Sequence, residues 1–137
     1  MRFPERYYAS PDPRMSAPFR PIVLATGWTV LIIASLSIPG SSLPSSSLLQ
    51  LDKFVHFALF FVLTGLWLAA KSEARIDRGL VILGLILVFA IGSEYYQEVM
   101  PIGRMAELRD ALADSVGALL AFVAWIVARP FIHRSEK

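Results

Sequence analysis

Charged side chains are missing from four long stretches of the chain: between Arg20 and Asp52, Lys53 and Lys71, Arg78 and Glu94, and Asp114 and Arg129. Each stretch is dominated by apolar residues. A bilayer core takes about 20 mostly apolar residues in a helix. The first stretch holds a span and a loop, with Pro21–Ile38 as its apolar part. The second, Phe54–Ala70, has 17 residues, and the third and fourth have 15 and 14. The last two each need about one further turn to cross, and that turn carries acidic residues. The pattern predicts an all-α, polytopic bundle of four transmembrane helices, at about 21–39, 52–70, 80–99 and 109–128. Residues 21–128 form the membrane domain, with tails at 1–20 and 129–137.

Lysine and arginine set the orientation of such a bundle. With four spans, the tails and the loop between helices 2 and 3 share one side. They hold ten of the thirteen basic residues: Arg2, Arg6, Arg14, Arg20, Lys71, Arg75, Arg78, Arg129, Arg134 and Lys137. Both termini are therefore expected in the cytoplasm, and the chain in a cytoplasmic (inner) membrane. Six of eleven acids (Asp52, Glu94, Glu98, Glu107, Asp110, Asp114) fall toward the other side. Helix 1 has a rival reading as a signal peptide cleaved near Ser35-Leu36-Ser37, but a 20-residue leader and a long apolar core fit a retained anchor better. The Ser- and Pro-rich stretch Pro39–Gln50 reads as a polar loop, with Ser47 as a candidate cap for helix 2. Trp67 and Trp125 near one interface, and Tyr95 and Tyr96 near the other, read as an aromatic belt.

Composition agrees with this pattern and narrows the chemistry. The chain has 137 residues, 55% hydrophobic and 18% charged, with a mean hydropathy of +0.57. That is too apolar for a disordered chain or a small soluble core. The absence of cysteine excludes a disulfide scaffold, a thiolate zinc site and a cysteine nucleophile. The net charge of +2 is the sum of two opposed faces, so it does not point to nucleic acid.

Polar residues inside the spans recur at one depth. His56, Glu94 and Asp114 each lie 14 residues from the expected cytoplasmic end of their helix, at Ala70, Leu80 and Ala128. At 1.5 Å per residue that is roughly 21 Å into a core about 30 Å thick. One turn further out come Asp52, Gln97, Glu98 and Asp110. Asp52/His56 and Asp110/Asp114 are i,i+4 pairs that share a helix face, and Glu94, Gln97 and Glu98 cluster on helix 3. An isolated Asp at a helix centre costs about 2.5–3.5 kcal/mol on insertion scales, so such groups face a protein interior or a watery cavity. The simplest arrangement is one outward-opening polar pocket among helices 2, 3 and 4, with Arg104 as a mobile counter-charge. Helix 4 carries small residues at Ala113, Gly117 and Ala121, and again at Ala124 and Ala128, a spacing that lets helices approach.

In order along the chain these residues resemble the VanZ-like family of small bacterial membrane proteins. Asp52-Lys53-Phe54-Val55-His56-Phe57 resembles a D-K-x-x-H-F helix start, and Glu94-Tyr95-Tyr96-Gln97 an E-x-x-Q helix end. Arg104, Asp110, position 114 and Gly117 follow R-x(5)-D-x(3)-N-x(2)-G. The departure is Asp114, where the family commonly has Asn; it adds a negative charge at pocket depth. The resemblance covers roughly residues 22–128. It implies a multi-pass envelope protein. The family name comes from an association with resistance to the glycopeptide teicoplanin, and no general activity follows from membership.

Three readings of the polar layer stay open. A binding module would hold an envelope amphiphile, lipid-linked or glycopeptide-like, with His56, Glu94, Gln97, Arg104, Asp110 and Asp114 as its ligand-binding set. An enzyme acting on a lipid head group would use His56 oriented by Asp52 as base. In that case Glu94 with Asp110 or Asp114 would be an acid/base pair or a Mg²⁺ site; zinc is disfavoured by a single pocket histidine. A structural or assembly subunit would use the layer as interhelical glue. Lys53, Gly117, Ala113 and Ala121 are assigned to structure, Lys53 as a snorkelling interface residue, and Glu107 and Arg109 to a solvated loop. No cofactor is assigned. The expected partners are membrane lipids, an envelope amphiphile or another membrane protein.

Overall fold

The computed structural model of the chain describes residues 19–38, 49–71, 75–101 and 107–132. Four helices make up this set: α1 (Phe19–Leu36), α2 (Leu49–Lys71), α3 (Ile76–Val99) and α4 (Leu108–Ile132). No strand occurs among the described residues. Ser47 and Arg104 lie outside them.

The helix ends have local causes. α3 begins at Ile76, a turn earlier than its apolar run, with Asp77 in its first turn. There the carboxylate faces the positive end of the helix dipole and accepts from Arg75 Nε at 3.2 Å and Nη2 at 2.8 Å. α3 ends because Met100 precedes Pro101, which disfavours helical dihedrals at 100; Met100 is extended, with φ −77 and ψ 136. α4 opens on the Glu107 carbonyl, which accepts from Asp110 N at 2.8 Å and Ala111 N at 3.3 Å. It continues past Ala128 to Ile132 although Pro130 removes a backbone donor from its last turn.

Interhelical contacts fix the directions. Trp67 Nε1 on α2 donates to Thr29 Oγ1 on α1 at 3.1 Å, and Trp28 Nε1 donates to the Leu59 carbonyl at 3.0 Å. Ser37, just beyond α1, meets Tyr96 near the end of α3 at 3.3 Å. Gly79 at the start of α3 lies under Trp125 near the end of α4. The four helices therefore alternate in direction. The start of α1, the end of α2, the start of α3 and the end of α4 share one end of the bundle.

The interior is apolar over most of its length. Ile32, Phe60, Leu63, Leu68, Ala90, Ala118 and Phe122 are buried, and the Phe60 and Phe89 rings stack at 5.6 Å. The outside is apolar as well: Leu24, Phe54, Val81, Leu85, Val88, Ile91, Leu112, Val123 and Val127 are all exposed. Such continuous apolar exposure suits lipid, where a helix also satisfies its own backbone. Asp52–Lys71, Ile76–Val99 and Leu108–Phe131 are long and apolar enough to cross a membrane, and the apolar part of α1, Pro21–Leu36, is shorter.

α2 and α4 come close at Gly117. A Cβ there would collide with the Phe57 carbonyl oxygen and would lie 3.2 Å from Phe61 N. Ala118 and Ala121 are buried beside it, and Ala113 is half-buried. The second small pair behaves differently from the sequence expectation: Ala124 and Ala128 are exposed, so that stripe faces away from the bundle. The tryptophans also do more than line an interface. Trp67 ties α2 to α1, and Trp125 covers Gly79 and lies 5.3 Å below the Arg129 guanidinium.

Candidate functional site

The expected polar layer comes together at the end of the bundle opposite Trp67 and Trp125. α2 and α4 run in the same direction, so residues a turn apart on one match residues a turn apart on the other. Lys53 meets Asp110, His56 meets Asp114, and Phe57 meets Gly117. The close seam at Gly117 brings the two polar faces within hydrogen-bonding reach. α3 runs the other way and delivers Glu94 and Gln97 to the same level.

The inner part of the layer holds His56, Glu94 and Asp114, all buried; Asp114 is 0% exposed. One ligating atom from each lies within 4.8 Å of the other two. His56 Nδ1 and Asp114 Oδ1 are hydrogen-bonded at 3.1 Å. The Glu107 backbone amide donates to Glu94 Oε2 at 3.0 Å. Each carboxylate is thus anchored through one oxygen. The other oxygens, Glu94 Oε1 and Asp114 Oδ2, are buried and have no hydrogen-bond partner among the described residues, and neither has Gln97 Nε2 one turn along α3. Buried polar atoms are rarely left so.

The outer part holds Asp52, His56 and Asp110, whose ligating atoms also lie within 4.8 Å of one another. Here a cation is already present. Lys53 Nζ reaches Asp110 Oδ1 at 2.8 Å and Glu107 Oε2 at 3.1 Å. This bears on two sequence assignments. Lys53, assigned as a snorkelling residue, is half-buried and ion-paired, and Glu107, exposed as a solvated-loop residue would be, also pairs with Lys53 through its side chain and holds Glu94 through its amide. Glu98 also differs from expectation: it is exposed, away from Glu94 and Gln97. Of these three, the rotation of α3 puts 94 and 97 on the inner face.

A crevice reaches this layer from a side the sequence did not suggest. It is lined by Ile32, Ser35, Leu36 and Ile38 on the α1 side, and by Asp52, Val55, His56, Leu59 and Phe60 on α2. The expected opening lay among helices 2, 3 and 4. There His56, Glu94 and Asp114 draw together, and α1 supplies the second wall of this crevice. Ser35 turns its hydroxyl back to the Ile32 carbonyl at 2.7 Å, which leaves the crevice wall mostly apolar. Arg20, the charged residue of α1, lies at its other end and gives no signal of this role.

The site thus joins an apolar slot to a cluster of carboxylates and one imidazole. Such a set can accept hydrogen bonds from hydroxyl or ammonium groups, or ligate a cation. Comparison with known proteins gives one family: the model of the family described as VanZ/LLP1 matches residues 10–129. No curated protein and no solved structure matches the chain.

Proposed function

The chain belongs to the VanZ/LLP1 family, and from that premise we propose that this multi-pass membrane protein binds an envelope amphiphile, its apolar part in the α1/α2 crevice and its head group at Asp52 and His56. The observation that carries this reading is the crevice itself. Six of its lining residues (Ile32, Leu36, Ile38, Val55, Leu59, Phe60) are apolar, and it ends on an acid and an imidazole. That graded polarity matches one long molecule with a hydrocarbon tail and a hydroxyl- or amine-bearing head group, lipid-linked or glycopeptide-like. In this reading α1 spans the membrane with α2–α4, both termini are cytoplasmic, and the polar layer faces the outer leaflet. Ten of thirteen basic residues on the terminal side support that orientation.

The test uses the full chain in nanodiscs that contain a phosphatidylethanolamine with a photoactivatable acyl chain. Adducts are expected to concentrate in Ile32–Ile38 and Val55–Phe60, and to fall when Leu59→Trp fills the crevice. Adducts spread evenly over lipid-facing positions such as Val88 and Val123 would overturn the reading. A second reading, a structural or assembly subunit, is favoured by the two polar ties between α2 and α4, Lys53–Asp110 and His56–Asp114. It predicts even labelling, together with loss of folded yield when either tie is cut.

A further inference from the structure

The inner cluster has a charge imbalance that the amphiphile does not address. Glu94 and Asp114 are two carboxylates on different helices, both buried and both beside His56. Lys53, the cation of the outer cluster, is engaged with Asp110 and Glu107. Two carboxylates removed from water at this separation need a proton or a compensating cation, from His56 or from an added ion. The hydrogen bonding shows where an added ion would sit. Glu107 N fixes Glu94 by Oε2, and His56 fixes Asp114 by Oδ1. These contacts orient the two side chains and leave one buried oxygen of each without a partner. Anchored carboxylates with a spare oxygen are what a metal centre needs from its surroundings.

We propose that His56, Glu94 and Asp114 bind one divalent cation, with Mn²⁺ the best match. Two carboxylates and one imidazole make a hard, mixed oxygen and nitrogen set. Carboxylates favour Mg²⁺, Ca²⁺ and Mn²⁺, an imidazole favours transition ions, and Mn²⁺ is the transition ion among those the two carboxylates favour. Ligand atoms within 4.8 Å of one another can each reach one ion by side-chain rotations, His56 trading its Nδ1 contact with Asp114 for a bond to the ion, since bonds to such ions are about 2.0–2.2 Å long. Three protein ligands leave coordination positions open. The site does not depend on the occupant of the crevice. His56 borders both, so a cation here would lie beside an amphiphile's head group.

The experiment titrates Mn²⁺ into the full-length chain in detergent micelles. Free Mn²⁺ is followed by electron paramagnetic resonance, and the melting temperature is measured with and without metal. One Mn²⁺ per chain is expected, with a rise in melting temperature that EDTA reverses, because a ligand that binds the folded state stabilises it. Glu94→Gln and Asp114→Asn keep side-chain shape and are expected to weaken binding tenfold or more. Asp110→Asn, in the outer cluster that shares His56, is expected to weaken binding less than either. No bound Mn²⁺ and no melting shift for the unaltered chain would overturn the proposal without reference to any variant. Unchanged affinity in both Glu94→Gln and Asp114→Asn, or loss confined to Asp110→Asn, would overturn the assigned ligands. A parallel titration with Mg²⁺ checks the choice of ion: Mg²⁺ binding as tight as Mn²⁺ and lost in the same two variants would keep the site and overturn the preference for Mn²⁺.

Discussion

His56 Nδ1 lies 3.1 Å from Asp114 Oδ1, on two helices that run in the same direction and touch backbone to side-chain position three residues further on, at Gly117. The two facts belong together. The hydrogen bond needs α2 and α4 close, and only a residue without a Cβ permits that approach. Gly117 therefore positions the polar layer without being part of it.

Gly117→Ala is accordingly expected to damage both stability and site. The added methyl would meet the Phe57 carbonyl and Phe61 N, which are backbone atoms and cannot rotate away. The helices must separate, at a cost of about 1–3 kcal/mol for overpacking. Unfolding in mixed micelles should show the loss. Gly84→Ala and Gly92→Ala are the controls, because nothing lies within 4 Å of a Cβ at either position. They should stay within about 0.5 kcal/mol of the parent.

Gly79→Ala tests a softer contact. Its Cβ would lie 2.8 Å from the Trp125 ring and 3.1 Å from Phe122, both side chains. The ring can shift, so the expected cost is smaller, about 1 kcal/mol at the low end of overpacking. Trp125→Leu in the same chain should relieve it. Equal penalties for Gly79→Ala with and without Trp125→Leu would show that the ring is not what the glycine accommodates.

Lys53 and Asp110 form the tie that a double-mutant cycle can measure. Asp110 has only 8% of its side chain exposed, against 28% for Lys53. Lys53→Met leaves a buried acid without its cation and is expected to cost about 1–3 kcal/mol, as for other buried polar groups left unpaired. Asp110→Asn should cost less, since Lys53 keeps Glu107 and reaches water. The double variant should be more stable than the sum of the singles by about 1 kcal/mol, the size of coupling between contacting residues. Strict additivity would mean the ion pair contributes nothing to the fold.

The helices were legible because their signal is coarse. Gaps between charges mark long apolar runs whatever the packing, and the level of His56, Glu94 and Asp114 follows from rise per residue. Helix rotation was not legible, because depth leaves it free. This is why Glu98 turns outward although it sits next to Gln97 in sequence, and why Ala124 and Ala128 face away although they continue the spacing of Gly117 and Ala121. The pairing of Lys53 with Asp110 had a usable signal: opposite charges one turn from His56 and from Asp114 on parallel helices. The part of α1 in the site had none, because an apolar wall such as Ile32 and Leu36 reads like any lipid-facing or core stretch.

The topology gives the last prediction, and it turns on α1. The apolar part of this helix is shorter than the runs of the other three, yet α1 lies along α2 from Thr29 beside Trp67 to Leu36 in the crevice with Asp52 and His56. A short span is accommodated by local thinning of the bilayer at a cost of fractions of a kcal/mol per Å. α1 also starts at the end of the bundle where α2 finishes and α4 leaves. A reporter at the C-terminus and one inserted at 72–74 are therefore expected on the cytoplasmic side, as is a tag at the N-terminus. A reporter inserted at 39–48 is expected on the opposite side. If the N-terminal tag instead shares a side with 39–48, α1 does not cross. The crevice would then open at a membrane surface, and the amphiphile reading would lose the lipid-embedded wall on which it rests.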